Sequence, residues 1–386
     1  MDSFTYVYPV KNYFGKGAAK RALEAELPKF GKRVLLAYGG GSIKRNGVYE
    51  EITGLLAAAG KEVVEFSGIK SNPTYAKVQE GAALVRQQGI DLILAVGGGS
   101  VSDCCKAISA QAVLDRDLYT YEYTDHKVPE KGIPLGVIVT VSGTGSEQNS
   151  GAVITYDEKH WKGALWGTLA SFAVLDPAYT LSVPQRQVLS GAYDTLSHCM
   201  ETYLGTPREP NLSDRMNESV MRAVMENIRR VHDNPEDLDA RSELMWASAM
   251  GENGILKIGK TTDFQCHMIE HQLGAYTDCN HGCGLAVIQP ALYRHLAPAA
   301  PKQYARLARE VFGVPQGAND LETALAGVER LAAFVKEIGL PTTLKELGIT
   351  DDAVLRATAD TTVLTQGCAK KLTADEIYAI LQEVAG

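Results

Sequence analysis

Two copies of one local pattern constrain this chain more than anything else in it: "RVLLAYGGGS" at 33–42 and "DLILAVGGGS" at 91–100, each an apolar run ending in three glycines and a serine. Both lead into amphipathic stretches, "IKRNGVYEEITGLLAAAG" and "VSDCCKAISAQAV", and between them "EVVEF" (62–66) passes through "NPT" into "YAKVQEGAALVRQQG". Apolar runs bounded by glycine and followed by helices predict parallel strands with helical crossovers. The first half is therefore expected to be α/β, a Rossmann-like doubly wound parallel sheet. "PLGVIVT" (134–140) reads as a further strand, "GAVITYDEKHWKGALWG" as a hairpin-like excursion, and "FAVLDPAYTLSVP" closes the β-rich part. From Pro184 onward apolar residues recur at spacings of three and four, as in "RQVLSGAYDTLSHCMETYL" and "LETALAGVERLAAFVKEIG". That period predicts an all-helical second half. The expected division is 1–184, an α/β domain, and 185–386, an all-α domain.

Composition narrows the partners. With 386 residues, two domains are the expectation. A formal net charge of −8 and no basic patch argue against nucleic acid or an anionic membrane as partner. No apolar run approaches the length of a bilayer span, and the start "MDSFTYVYPVKNYFGKG" lacks the pattern of a secretory signal. Seven cysteines, an odd number in a chain this large, read as reduced thiols of a cytoplasmic protein.

The glycine turns suggest an anion. Gly97-Gly98-Gly99-Ser100 follows a strand and opens a helix, where backbone N–H groups and the helix dipole favour phosphate. Alone it reads equally well as a tight turn, since the spacing is not the Rossmann fingerprint. A second loop, Gly143-Thr144-Gly145-Ser146, also follows a strand, and two such loops at strand ends fit a dinucleotide. At the first strand end, Gly39-Gly40-Gly41-Ser42 precedes Lys44-Arg45 with no acid. An acid there would bind the ribose 2′-hydroxyl of NAD, so its absence points to NADP.

The second half carries a histidine cluster. Asp194 and His198 are four apart in a helical pattern, as are His267 and His271, and His281 follows within fifteen positions of His267. Buried carboxylates and imidazoles need partners. A carboxylate mixed with imidazoles suits Fe(II), Zn(II) or Mn(II) and not calcium, and five candidates are more than one tetrahedral site needs.

Taken together, "GGGSVSD" (97–103), "SGTGSE" (142–147), Asp194-x3-His198 and "HMIEHQLGAYTDCNHG" (267–282) resemble the iron-activated, group III alcohol dehydrogenases over essentially the whole chain. "YGGGSIKRNG" is similar to their NADPH-dependent butanol dehydrogenase and aldehyde reductase branch. The resemblance implies hydride transfer between NADP(H) and small aldehydes or primary alcohols. It implies one divalent metal, Fe(II) first, on Asp194, His198, His267 and His281, with His271 left beside the substrate as proton source. It also implies cofactor contacts at Gly39, Gly40 and Ser42 for the 2′-phosphate, at Gly98, Gly99, Ser100 and Asp103 along the pyrophosphate and ribose, and at Thr140, Thr144, Asn149, Lys162 and Tyr179. A homodimer is expected, with the β-prone "FTYVYPVKNYFG" adding to a partner's sheet edge. The competing expectations are a glycerol dehydrogenase- or 3-dehydroquinate synthase-like enzyme, and a binding protein without turnover.

Overall fold

The chain's β-rich runs become a single parallel sheet. In the computed structural model, which describes residues 2–386, β1 (Lys11–Phe14), β2 (Arg33–Tyr38), β3 (Glu62–Phe66), β4 (Leu92–Gly97), β5 (Leu135–Val139) and β8 (Phe172–Leu175) pair in the order β1-β8-β5-β4-β2-β3. Every pairing in this sheet is parallel. The remaining two strands, β6 (Gly151–Tyr156) and β7 (Trp161–Trp166), form an antiparallel hairpin.

Burial on both faces explains the unbroken apolar runs. Strands β4 and β5 are buried along their whole length, and β2 is buried after Arg33. On one face Val34, Leu36, Leu92, Leu94 and Val96 pack with residues of α1 (Ala18–Glu26) and α3 (Val48–Ala58). Elsewhere α4 (Tyr75–Gln88) packs on α5 (Gly99–Gln111), which lies against β4 and β5. A parallel sheet sends all its strand C-termini to one edge, so the loops at 39–42, 97–100, 140–146 and 176–182 emerge together.

Two details depart from the sequence pattern. The long helical stretch after the first glycine turn breaks into α2 (Ser42–Arg45) and α3, because Gly47 takes a left-handed φ of 83° between them. Of the N-terminal β-prone segment, only 11–14 becomes a strand, and it pairs with the chain's own β8 instead of remaining open on both sides. Residues 2–10 carry no strand.

The chain divides into two compact units, Val7–Val183 and Pro184–Gly386, the latter joined by the first residues through Tyr6. The second unit is helical: α7 (Gln185–Tyr203), α8 (Leu212–Asp233), α9 (Leu238–Glu252), α10 (Gln265–Thr277), α11 (His281–Leu296), α12 (Pro301–Glu310), α13 (Asp320–Glu337), α14 (Asp352–Thr361) and α15 (Ala374–Glu383). Its core runs from Leu189 and Leu196 through Ile269, Leu273 and Ile288 to Leu331 and Ile380. No helix among the described residues is long and apolar enough to cross a membrane.

Candidate functional site

Three helices of the second unit bring the histidine cluster together. On α7, Asp194 and His198 share one face at a spacing of four. On α10, His267 and His271 do the same, and the helix ends where Asp278 takes a left-handed φ of 52°. Asn280 then caps α11, its side-chain oxygen accepting the Cys283 N–H at 3.0 Å, so that His281 is the first residue of the new helix. The three Nε2 atoms of His267, His281 and His198 lie 3.3, 3.5 and 3.8 Å from the same oxygen, Asp194 Oδ1. The rings of His198 and His267 stack with centroids 4.4 Å apart. His271 stands beside this group, its ring 5.2 Å from that of His281 and 6.0 Å from that of His267.

Carboxylates surround the imidazoles on their outer side. His267 Nδ1 bonds Glu201, His281 Nδ1 bonds Glu270, and His198 Nδ1 lies 3.9 Å from Glu252. Sequence reading missed all three glutamates. Glu201 had a signal, since it continues the Asp194, His198 face one turn further along α7. Burial would lower the basicity of His267, but Glu201 and Asp194 outweigh it and push its pKa up to about 10. At His198 burial wins over Asp194 and Glu252, and the pKa falls to about 4. Burial would raise the Asp194 pKa, yet His198, His281 and His267 hold that carboxyl well below its usual range.

This donor set fits a divalent cation. Four buried carboxylates, Asp194, Glu201, Glu252 and Glu270, concentrate negative charge, and three imidazoles turn Nε2 inward. His198 Nδ1 is buried with no hydrogen bond among the described residues. The negative charge of Asp194 and Glu201 that raises the His267 pKa would also attract a metal ion.

The first unit gathers the loops. Gly98 links β4 to α5, which Gly99 opens, and a Cβ on Gly99 would fall 2.2 Å from Thr144 Oγ1, so only glycine lets this turn meet the 143–146 loop. Thr140 extends the β4–β5 ladder by one bond, its N–H donating to Gly97 O at 2.9 Å. Ser100 Oγ bonds the carbonyl of Ser71. Asp103 uses both oxygens internally, accepting from Ser146 Oγ at 2.5 Å and Val153 N–H at 3.0 Å. Lys106, fully buried, ties Asp103 at 3.1 Å to Ser146 O at 2.8 Å and to Asn149 Oδ1 at 3.3 Å. It is a second group the sequence did not flag. Lys162 is buried on β7.

At the first strand end, Gly39 is half-buried and Gly40 and Ser42 are exposed. An acid does reach this region, but from the neighbouring strand: Glu65 of β3 accepts from Tyr38 and Tyr49 hydroxyls, each at 2.5 Å, and pairs with Lys44 at 3.1 Å. Tyr179 lies in a turn after β8 and helps line a cavity of about 350 Å³ with Asn46, Gly47, Glu51 and Leu181.

A parallel sheet with glycine loops at its carboxyl edge, and a helical unit with a carboxylate–imidazole cluster, are the parts that a dinucleotide- and metal-dependent enzyme requires. Two family models match: iron-containing alcohol dehydrogenase over residues 9–177 and the C-terminal domain of the Fe-containing alcohol dehydrogenase family over residues 188–385. The chain belongs to the iron-containing alcohol dehydrogenase family. It is 38% identical to the probable NADH-dependent butanol dehydrogenase 1 of Bacillus subtilis, over 99% of both chains. It is 34% identical to the NADPH-dependent aldehyde reductase YqhD of Escherichia coli, over 92% of this chain and 91% of that one. Its fold matches the crystal structure of NADH-dependent butanol dehydrogenase A from Thermotoga maritima with a TM-score of 0.94 at 31% identity, over 100% of this chain and 99% of that one. Membership implies a nicotinamide cofactor and a divalent metal, iron foremost.

Proposed function

We propose that this enzyme interconverts small aldehydes and primary alcohols in the manner of a butanol dehydrogenase, with Asp194, His198, His267 and His281 as ligands of one divalent metal, Fe(II) before Zn(II) or Mn(II). The observation that carries this reading is the convergence of three Nε2 atoms on Asp194 Oδ1 within 3.8 Å. When bound, the metal would polarise a carbonyl and the reduced nicotinamide would supply hydride to its carbon. The chain's own residues do the rest. His271, off the ligand set but beside it, supplies the proton that the carbonyl oxygen needs to become a hydroxyl. The burial of Asp194 and His267 keeps bulk water from that side of the cluster, while His281, 25% exposed, marks its open side.

For the cofactor we propose NADPH, with Gly39, Gly40 and Ser42 receiving the 2′-phosphate, Gly98, Gly99 and Ser100 the pyrophosphate, and Thr140, Thr144, Asn149, Lys162 and Tyr179 further along. Asp103 acts mainly by holding the second glycine loop, because its oxygens are already engaged. Lys44 supports this choice: its pair with Glu65 is exposed on both sides, and such pairs are weak enough for a phosphate dianion to recruit the ammonium. The same Glu65 favours a second reading, NADH, as in the name of the Bacillus subtilis relative. Comparing kcat/KM for butanal with NADPH and NADH decides between them. NADPH should win, and Gly40→Asp should move the preference toward NADH. A higher value with NADH in the wild type, unchanged by Lys44→Gln, would establish the second reading.

A homodimer in the cytoplasm completes the proposal. Phe4, Tyr6 and Val7 expose apolar side chains on the strandless N-terminal segment, which suits them to a second copy.

A further inference from the structure

The three glutamates behind the histidines, Glu201, Glu252 and Glu270, are all buried. Glu270 is fully buried and Glu201 is 2% exposed. A buried carboxylate is costly unless a partner offsets its desolvation, so its retention calls for a role. Each has one imidazole as partner, and each approaches that imidazole at Nδ1, the nitrogen turned away from Asp194.

We infer, on the reading that Asp194, His198, His267 and His281 hold the metal, that Glu201 and Glu270 are positioning residues of that centre. Each accepts the Nδ1–H of one ligand imidazole, which fixes the ring's tautomer and aims its Nε2 lone pair at the ion. Glu252 is a weaker third: it stands 3.9 Å from His198 Nδ1 and shares its carboxylate with Lys257, 2.9 Å away from both oxygens.

Local packing is arranged around these contacts. Glu201 also accepts the backbone N–H groups of Cys266 at 2.7 Å and His267 at 3.2 Å, fixing the start of α10 as well as the ring it carries. Glu270 is admitted between α10 and α11 by Gly284, where a Cβ would fall 2.8 Å from Glu270 Cγ and 3.0 Å from Oε1. Glu201 therefore has a helix-capping duty in addition, whereas Glu270 also accepts from the Cys279 thiol, a weak donor, at 3.7 Å and so provides the cleaner test.

The experiment strips the full-length protein of metal with a chelator and titrates it with Co(II) and with Zn(II), reading Kd by calorimetry and the Co(II) ligand-field bands by visible absorption. Glu270→Gln keeps an acceptor for Nδ1–H but loses the charge, and should raise Kd by roughly 3- to 10-fold. Glu270→Ala loses both and should raise it by roughly 10- to 100-fold, with a shifted Co(II) spectrum. Glu201→Gln should follow Glu270→Gln, and Glu252→Gln should change Kd by less than either. If Glu270→Ala does not fold, the Gln variant decides alone. A Kd within twofold of wild type and an unchanged spectrum for Glu270→Gln, and for Glu270→Ala where it folds, overturns the inference. His267→Ala run alongside separates the two levels. If it binds Co(II) like wild type, the ligand assignment has failed. If it loses Co(II) while the glutamate variants keep it, only the positioning role has.

Discussion

At the level of single residues, His267 and His271 present the sharpest contrast, since they sit one turn apart on α10 but meet different neighbours. His267 is clasped between Asp194 and Glu201, while His271 stands edge-on to it at 6.0 Å. His267→Ala should therefore lose metal and activity together, with added Fe(II) or Zn(II) restoring little. His271→Ala should keep its metal, measured by elemental analysis, and lower kcat by roughly 10- to 10,000-fold, removing a limb of the pH–rate profile in the histidine range. Metal lost from the second variant and kept by the first would reverse the two assignments. The candidate ligands were legible because helical spacing puts Asp194 and His198, and His267 and His271, on common faces. Their outer partners were not, because Glu252 and Glu270 reach the histidines only across helix–helix packing.

Individual elements carry two further expectations. Helix α11 starts at His281 by virtue of its cap, Asn280. Asn280→Ala should cost about 1 kcal/mol of stability and loosen His281, so that Tm and metal affinity fall together. An unchanged metal Kd would mean that α11 is held by its packing alone. The hairpin supplies a pH effect. Glu122 of α6 (Leu118–Tyr123) accepts the Trp166 N–H with both oxygens, and burial raises its pKa to about 7 against the opposing pull of that bond. Because the folded state then binds a proton that the unfolded chain releases near pH 4.5, stability is full below that value and falls as pH rises toward 7. Glu122→Gln keeps an acceptor without the charge. Its advantage in thermal stability over the wild type should grow from pH 5 to pH 8, reaching on the order of 1–3 kcal/mol. A constant difference across that range would refute the assignment.

For the molecule as a whole, the proposed dimer places the exposed Phe4, Tyr6 and Val7 against a second copy, so light scattering at micromolar concentration should give near twice the chain mass of 41.6 kDa. Deleting residues 2–9 should return the monomer value while leaving β1 paired with β8. The sequence by itself determined the parallel sheet, because strands buried on both faces must be apolar throughout, as "VLLAY" and "LILAV" are. It determined the helical second half in the same way, through a period of three and four. Only the tertiary structure decided what reaches the glycine turns and the histidines from outside their own segments. Reading along β2 finds no acid at its end, yet the β2–β3 pairing sets Glu65 opposite Leu36 and within reach of Lys44. Likewise the bonds from Lys106 of α5 to Ser146 and Asn149, and the pairing of Glu270 with His281 beside Gly284, bring together residues on different elements. Periodicity reports which face of an element is buried, because that depends on the element alone. Which side chain meets which depends on how elements pack, and that is settled by the fold.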